Sequence, residues 1–90
     1  MIIDKFQLNK LLLQIINDVE PKRKMKIEKF QNYIRNEEIV GITEEEMNMY
    51  NTLAYDLDFY EPNEEWRKED PVYYDEKKLI IEISEVLKKL

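Results

Sequence analysis

Tight reversals in a β-rich fold draw on glycine and proline, and this chain has one glycine, Gly41, and three prolines in 90 residues. A sandwich or barrel turns about every ten residues and would need more of both. The sequence therefore predicts a mostly helical chain with few connections. Ninety residues form one domain, residues 1–90, with a core near the lower limit of what folds unaided. Hydrophobic residues make up 43%, which supports a real core and argues against disorder.

Cysteine and histidine are both absent. That excludes thiol nucleophiles, disulfides, Cys/His zinc sites and histidine general bases. Catalysis would have to rest on carboxylates, tyrosines or lysines. Acid pairs such as Asp56 with Asp58, or Glu64 with Glu65, are plentiful. A catalytic carboxylate, however, needs an enclosed apolar site to raise its pKa, and a short helical chain has little room for one. No catalytic residue is assigned, and the chain is read as a non-enzyme. Calcium fares no better. The acid-rich stretch DLDFYEPNEEW lacks the turn glycine of an EF-hand loop, and aromatic residues and a proline interrupt it. No metal or cofactor is expected.

Apolar runs such as residues 11–13 and 79–81 are far too short to span a bilayer. The start, MIIDKF, has no cationic segment ahead of an apolar run with a cleavage site. The expectation is a cytoplasmic protein.

The net charge of −6 is unevenly spread. Residues 1–36 carry four acids against eight bases, and residues 77–90 carry two acids against four bases. Residues 37–76 carry fourteen acids against only Arg67 and Lys68. Such asymmetry repels nucleic acid and anionic membrane from one face and attracts basic protein surfaces to it. The plainer alternative is that the acids only keep the domain in solution.

Apolar residues Phe6, Leu8, Leu12, Leu13, Ile15, Ile16 and Val19 predict a first helix over about residues 4–18 with a wide apolar stripe. Pro21 suits the first turn of a second helix, in which Ile27, Phe30 and Ile34 recur at helical spacing, flanked by Met25 and Tyr33. Its basic start, PKRKMK, reads as a solvated face or as a counter-charge to the acidic segment. Gly41 suits a helix C-terminal turn. Thr43 with Glu46 forms a capping box, and Glu44 and Glu45 add negative charge to the same first turn. The third helix then presents Met47, Tyr50, Leu53, Ala54, Leu57 and Tyr60, and Pro62 ends it.

Residues 61–74, EPNEEWRKEDPVYY, have two prolines and no helical period, so they read as a long loop pinned by Trp66, Val72, Tyr73 and Tyr74. Asp75 can cap a last helix with Leu79, Ile83, Val86, Leu87 and Leu90 on one face. The isoleucines at 80, 81 and 83 would also suit a strand, but no partner strand is evident. The expected fold is all-α: a small four-helix bundle with an acidic loop between the third and fourth helices.

Tyr50, Phe59, Tyr60, Trp66, Tyr73 and Tyr74 lie within the acidic part of the chain. Base stacking there would meet phosphate repulsion, so these aromatics read as core residues or as anchors of a protein contact. Carboxylates arrayed among them can imitate a phosphate backbone and pair with the Lys and Arg of a nucleic-acid-processing protein.

The stretch LAYDLDFYEP, residues 53–62, is followed after an acidic loop by YYDEKKLIIEISEVLKKL, residues 73–90. This order resembles the colicin D immunity family, which includes immunity proteins of contact-dependent growth inhibition systems. The likeness covers roughly the last forty residues, with chain length and acidity agreeing. It implies a four-helix bundle that binds the C-terminal nuclease domain of a bacteriocin-type toxin, typically a tRNase, and covers its active site with carboxylates. Asp58 and Glu61 occupy positions of family acids, whereas the acidic position after the proline is Asn63 here, followed by Glu64 and Glu65.

The leading expectation is thus an antitoxin that blocks the basic groove of a cognate nuclease, as a monomer without direct nucleic-acid or membrane contact. Its partner-binding residues would be Asp58, Tyr60, Glu61, Asn63, Glu64, Glu65, Trp66, Glu69 and Asp70, with Trp66 or Tyr60 as the anchor. The alternative, from a different class, is a small acidic helical adaptor or regulatory subunit that docks in a larger assembly through its apolar faces.

Overall fold

The computed structural model describes residues 1–89. A short strand β1 (Ile2–Asp4) leads into helix α1 (Lys5–Asn17), then α2 (Lys22–Asn36) and a second strand β2 (Glu38–Val40). Helix α3 (Glu44–Asp56) continues through a 3₁₀ turn (Leu57–Phe59), a one-turn helix α4 (Glu64–Arg67) and the last helix α5 (Glu76–Lys89). The chain is mostly helical, as expected. Helix α1 packs on α2 and α5, and α3 packs on the same two. Leu90, assigned to the apolar face of the last helix, lies outside the described residues.

Local chemistry starts each helix. At α1 the Asp4 carboxylate accepts the Gln7 N–H (2.8 Å), and the Gln7 side chain accepts the Asp4 N–H (3.0 Å). At α3 the predicted capping box is formed, with Thr43 Oγ1 accepting the Glu46 N–H at 3.1 Å. Lys5 pairs with Glu46, so the start of α1 holds the start of α3. At α5 the Asp75 carboxylate accepts the Lys78 N–H (3.1 Å). Thr43→Ala removes one of these acceptors and is expected to cost about 1 kcal/mol. In a domain of this size that is a fall in Tm of roughly 4–8 °C, measurable by thermal unfolding.

The core follows the apolar spacing closely. On α1 it takes Leu8, Leu11, Leu12 and Ile15, a narrower face than the stripe read from sequence. Phe6, Leu13 and Val19 fall outside that face and are exposed, Phe6 by 75%. Helix α2 contributes Ile27, Phe30 and Ile34; α3 and its 3₁₀ turn contribute Tyr50, Leu53, Ala54 and Leu57; α5 contributes Leu79 and Ile83. Met25 stays exposed, while Tyr33, Met47, Val86 and Leu87 pack partly buried against the cluster.

Two buried polar side chains join the helices. Arg23 donates from Nε to the Ile15 carbonyl (2.9 Å) and from Nη2 to the Ile16 carbonyl (3.1 Å), supplying partners that the last turn of α1 lacks. Its third nitrogen reaches Glu76 of α5 at 3.2 Å. One residue of the basic PKRKMK run thus acts as a counter-charge to the acidic half. Gln31 donates to the Ala54 carbonyl (2.9 Å) and to Asp58 (2.8 Å), fastening α2 to the end of α3.

Several expectations need correction. A strand pair is present: β1 and β2 run parallel in the register Ile2↔Glu38, Ile3↔Ile39 and Asp4↔Val40, with Ile3 fully buried. Three residues are too few for alternation to announce a strand. Helix α2 ends at Asn36, well before Gly41, which instead follows β2 with φ +74° and lets the chain turn into α3. Pro21 precedes α2 as its cap residue and does not stand within its first turn. Helix α3 itself stops at Asp56, and the 3₁₀ turn carries its apolar face on to Leu57. The isoleucine-rich stretch of the last helix, by contrast, is helical as expected. Among the described residues no helix is long and apolar enough to cross a membrane.

Candidate partner-binding surface

The acidic segment is held as a closed loop. Beyond the 3₁₀ turn, Tyr60 and Tyr74 form an isolated parallel bridge. Glu61 N–H donates to the Tyr74 carbonyl and Tyr74 N–H donates to the Phe59 carbonyl, both at 2.9 Å. The two rings lie 6.3 Å apart and are buried. Burying a phenol requires a partner for its hydroxyl. Tyr60 finds Glu20 at 3.1 Å and Tyr74 finds the Asp56 carbonyl at 2.8 Å. This neck brings the ends of residues 61–73 together at the surface.

Burial also pushes up the pKa of Tyr60, of Tyr74 and of Tyr50, the last to about 12. Each phenol starts from an ordinary value of 10.0, so the folded value lies above the unfolded one. The stability they contribute is complete below pH ~10 and is lost as the pH rises through the folded values. Alkaline unfolding is therefore expected to begin above that point, with tyrosinate absorbance from these three rings rising as helical circular dichroism falls. Full ionisation of every tyrosine while the helices persist would contradict it.

Inside the neck the loop is ordered by its own polar groups. Asn63 Oδ1 accepts the N–H of Glu65 (2.9 Å) and of Trp66 (3.4 Å), and so starts α4. Arg67 folds back and donates to the carbonyls of Glu61 (2.9 Å) and Pro62 (3.2 Å). The Asp70 carboxylate accepts the Val72 N–H (3.0 Å), a side-chain-closed turn. The Glu61 carboxylate accepts the Asn63 N–H (3.2 Å).

Glu64, Glu65, Glu69 and Asp70 are left exposed on this frame, together with Trp66, 56% exposed on α4. The cation facing them is Lys68, 3.4 Å from Glu65; both side chains are solvated, so the pair is weak. Asp58 stands on the 3₁₀ turn at the foot of the loop, exposed but shared with Arg35 at 3.3 Å and Gln31. Asp58 and Glu61 line one crevice of about 210 Å³ with Lys24, Glu28 and Tyr73.

The structure thus brings Glu61, Asn63, Glu64, Glu65, Trp66, Glu69 and Asp70 into one loop with Asp58 beside it. Tyr60 does not join them. It is only 6% exposed and serves the neck, so it cannot anchor a partner. The signal was already in the sequence, since Tyr60 continues the apolar face of Leu53 and Leu57. Asn63 has its side-chain oxygen occupied by the α4 cap. The loop is pinned by Tyr60 and Tyr74, whereas Trp66, Val72 and Tyr73 remain exposed. Tyr55 is a further exposed aromatic beside the loop, one that no charge or spacing signal marks in the sequence. It sits off the apolar face of α3, exposed, with Phe59 edge-on at 5.4 Å.

Among the described residues no group of three or more carboxylates is arranged to hold a metal ion. No protein-family model, curated protein or solved structure matches the chain.

Proposed function

We propose that this protein is a cytoplasmic immunity protein that binds a cognate nuclease toxin of the tRNase type and covers its basic groove. The four long helices act as an immunity-type bundle that carries the loop of residues 61–73. One observation carries the proposal: Glu64, Glu65, Glu69 and Asp70 stand exposed on a loop whose neck and turns are already hydrogen-bonded. A preordered loop loses little conformational freedom on binding. Its field attracts a cationic groove, speeds encounter and makes the contact salt-sensitive. Trp66 supplies the large apolar side chain that such contacts use as an anchor. The protein binds and does not catalyse, and it works as a monomer.

Calorimetric titration into candidate tRNase-toxin domains, the product of any adjoining toxin gene first, tests this reading. One-to-one binding that weakens as salt rises supports it; no binding, or binding indifferent to salt, sinks it. The adaptor reading is favoured by a different observation, the exposed apolar side chains of Met1, Ile2 and Phe6 around β1. An apolar docking surface of that kind drives self-association, so a monomer at high concentration in sedimentation counts against it.

A further inference from the structure

A second surface lies on elements that the loop does not use. Between α3 and α5 runs an open groove of about 360 Å³. Met49 and Val86, both partly exposed, give it an apolar lining above the buried Leu53. Glu45 and Asp56 of α3 and Glu82 and Glu85 of α5 also line it, against a single cation, Lys89. None of these four carboxylates holds an ion pair among the described residues. A neighbouring hollow of about 310 Å³ shares Asp56 and Glu82 and extends the groove to Tyr55, Phe59 and Val72, with a second cation, Lys78, lying over the Tyr74 ring.

The chemistry restricts what can lie there. Carboxylates from two helices facing one groove repel each other, and a cation between them removes that cost. Anionic membrane and nucleic acid would add to the repulsion. The partly exposed Met49 and Val86 between the acids suit apolar groups from the same occupant. From Glu45 to Asp56 the groove runs about 16 Å, close to three helical turns. We infer that the α3–α5 groove docks a cationic amphipathic helix of a protein partner, its apolar stripe on Met49 and Val86 and its Lys or Arg side chains between the carboxylates. This is the helix-in-groove mode of recognition. It goes beyond the loop proposal and does not depend on it.

The probe is an amphipathic peptide of about fourteen residues built from leucine and lysine, titrated into isotopically labelled protein and followed by amide chemical shifts. Saturable shifts confined to α3 and α5, with a gain of helical signal in the peptide, are expected. E82K combined with E85K should weaken binding at least tenfold, and a serine–lysine peptide of equal charge should bind at least tenfold more weakly. E64K combined with E65K, which acts on this groove only through the long-range field, should weaken binding less than threefold, which separates this groove from the loop. Shifts concentrated on residues 61–73, a peptide that stays unfolded, or equal binding by the serine–lysine peptide would each overturn the inference. So would indifference to E82K/E85K in variants whose circular dichroism is native.

Discussion

Replacing Phe30 by alanine is expected to lower the stability of this domain by roughly 3–5 kcal/mol. Phe30 is fully buried on the inner face of α2, and its ring lies 6.3 Å from that of Tyr50 on α3. Removing it leaves a void between two helices tied together by the Gln31 side chain, which donates to the Ala54 carbonyl, so the gap cannot simply close. A domain of this length has on the order of 5–10 kcal/mol in all, and the loss is a large share of it. Urea unfolding should show a lower midpoint at an unchanged slope. Phe6→Ala, at an exposed site on α1, should change stability by less than about 0.5 kcal/mol. A Phe30→Ala loss below about 1 kcal/mol would contradict the core described here.

The second large effect is on binding. Reversing Glu64, Glu65 and Glu69 together to lysine is expected to weaken affinity for the proposed nuclease partner on the order of a hundredfold or more, about 3 kcal/mol. These three are chosen because they are exposed, whereas Glu61 is half-buried and its carboxylate accepts a backbone N–H of the loop. Reversal places like charges against the basic groove, so the association rate falls and its salt dependence flattens. Thermal stability should move little, since no backbone hydrogen bond of the neck or of the α4 cap passes through these carboxylates. Unchanged affinity in a folded variant would remove the loop from the interface.

The helices were largely legible because their information is local. Thr43 and Glu46 are three residues apart, and Ile27, Phe30 and Ile34 mark one face with no reference to the rest of the chain. What escaped the sequence is non-local. The pairing of Ile3 with Ile39 joins segments separated by two helices, and neither three-residue strand has a period of its own. The Tyr60–Tyr74 bridge likewise depends on Glu20 and Asp56 waiting on other elements to receive the two hydroxyls. The acidic loop could be found from charge alone, but its order could not. That order depends on Asn63 capping α4 and on Arg67 turning back to the carbonyls of Glu61 and Pro62. The α3–α5 groove was hidden for the same reason: Glu45 and Asp56 meet Glu82 and Glu85 only once α5 packs beside α3.

The most direct measurement is tRNA cleavage by a candidate tRNase-toxin domain, the product of any adjoining toxin gene first, with this protein titrated in at low and at high salt. Protection that completes at one equivalent and weakens with salt is the predicted result. Undiminished cleavage at saturating protein, with no complex formed, would contradict the account.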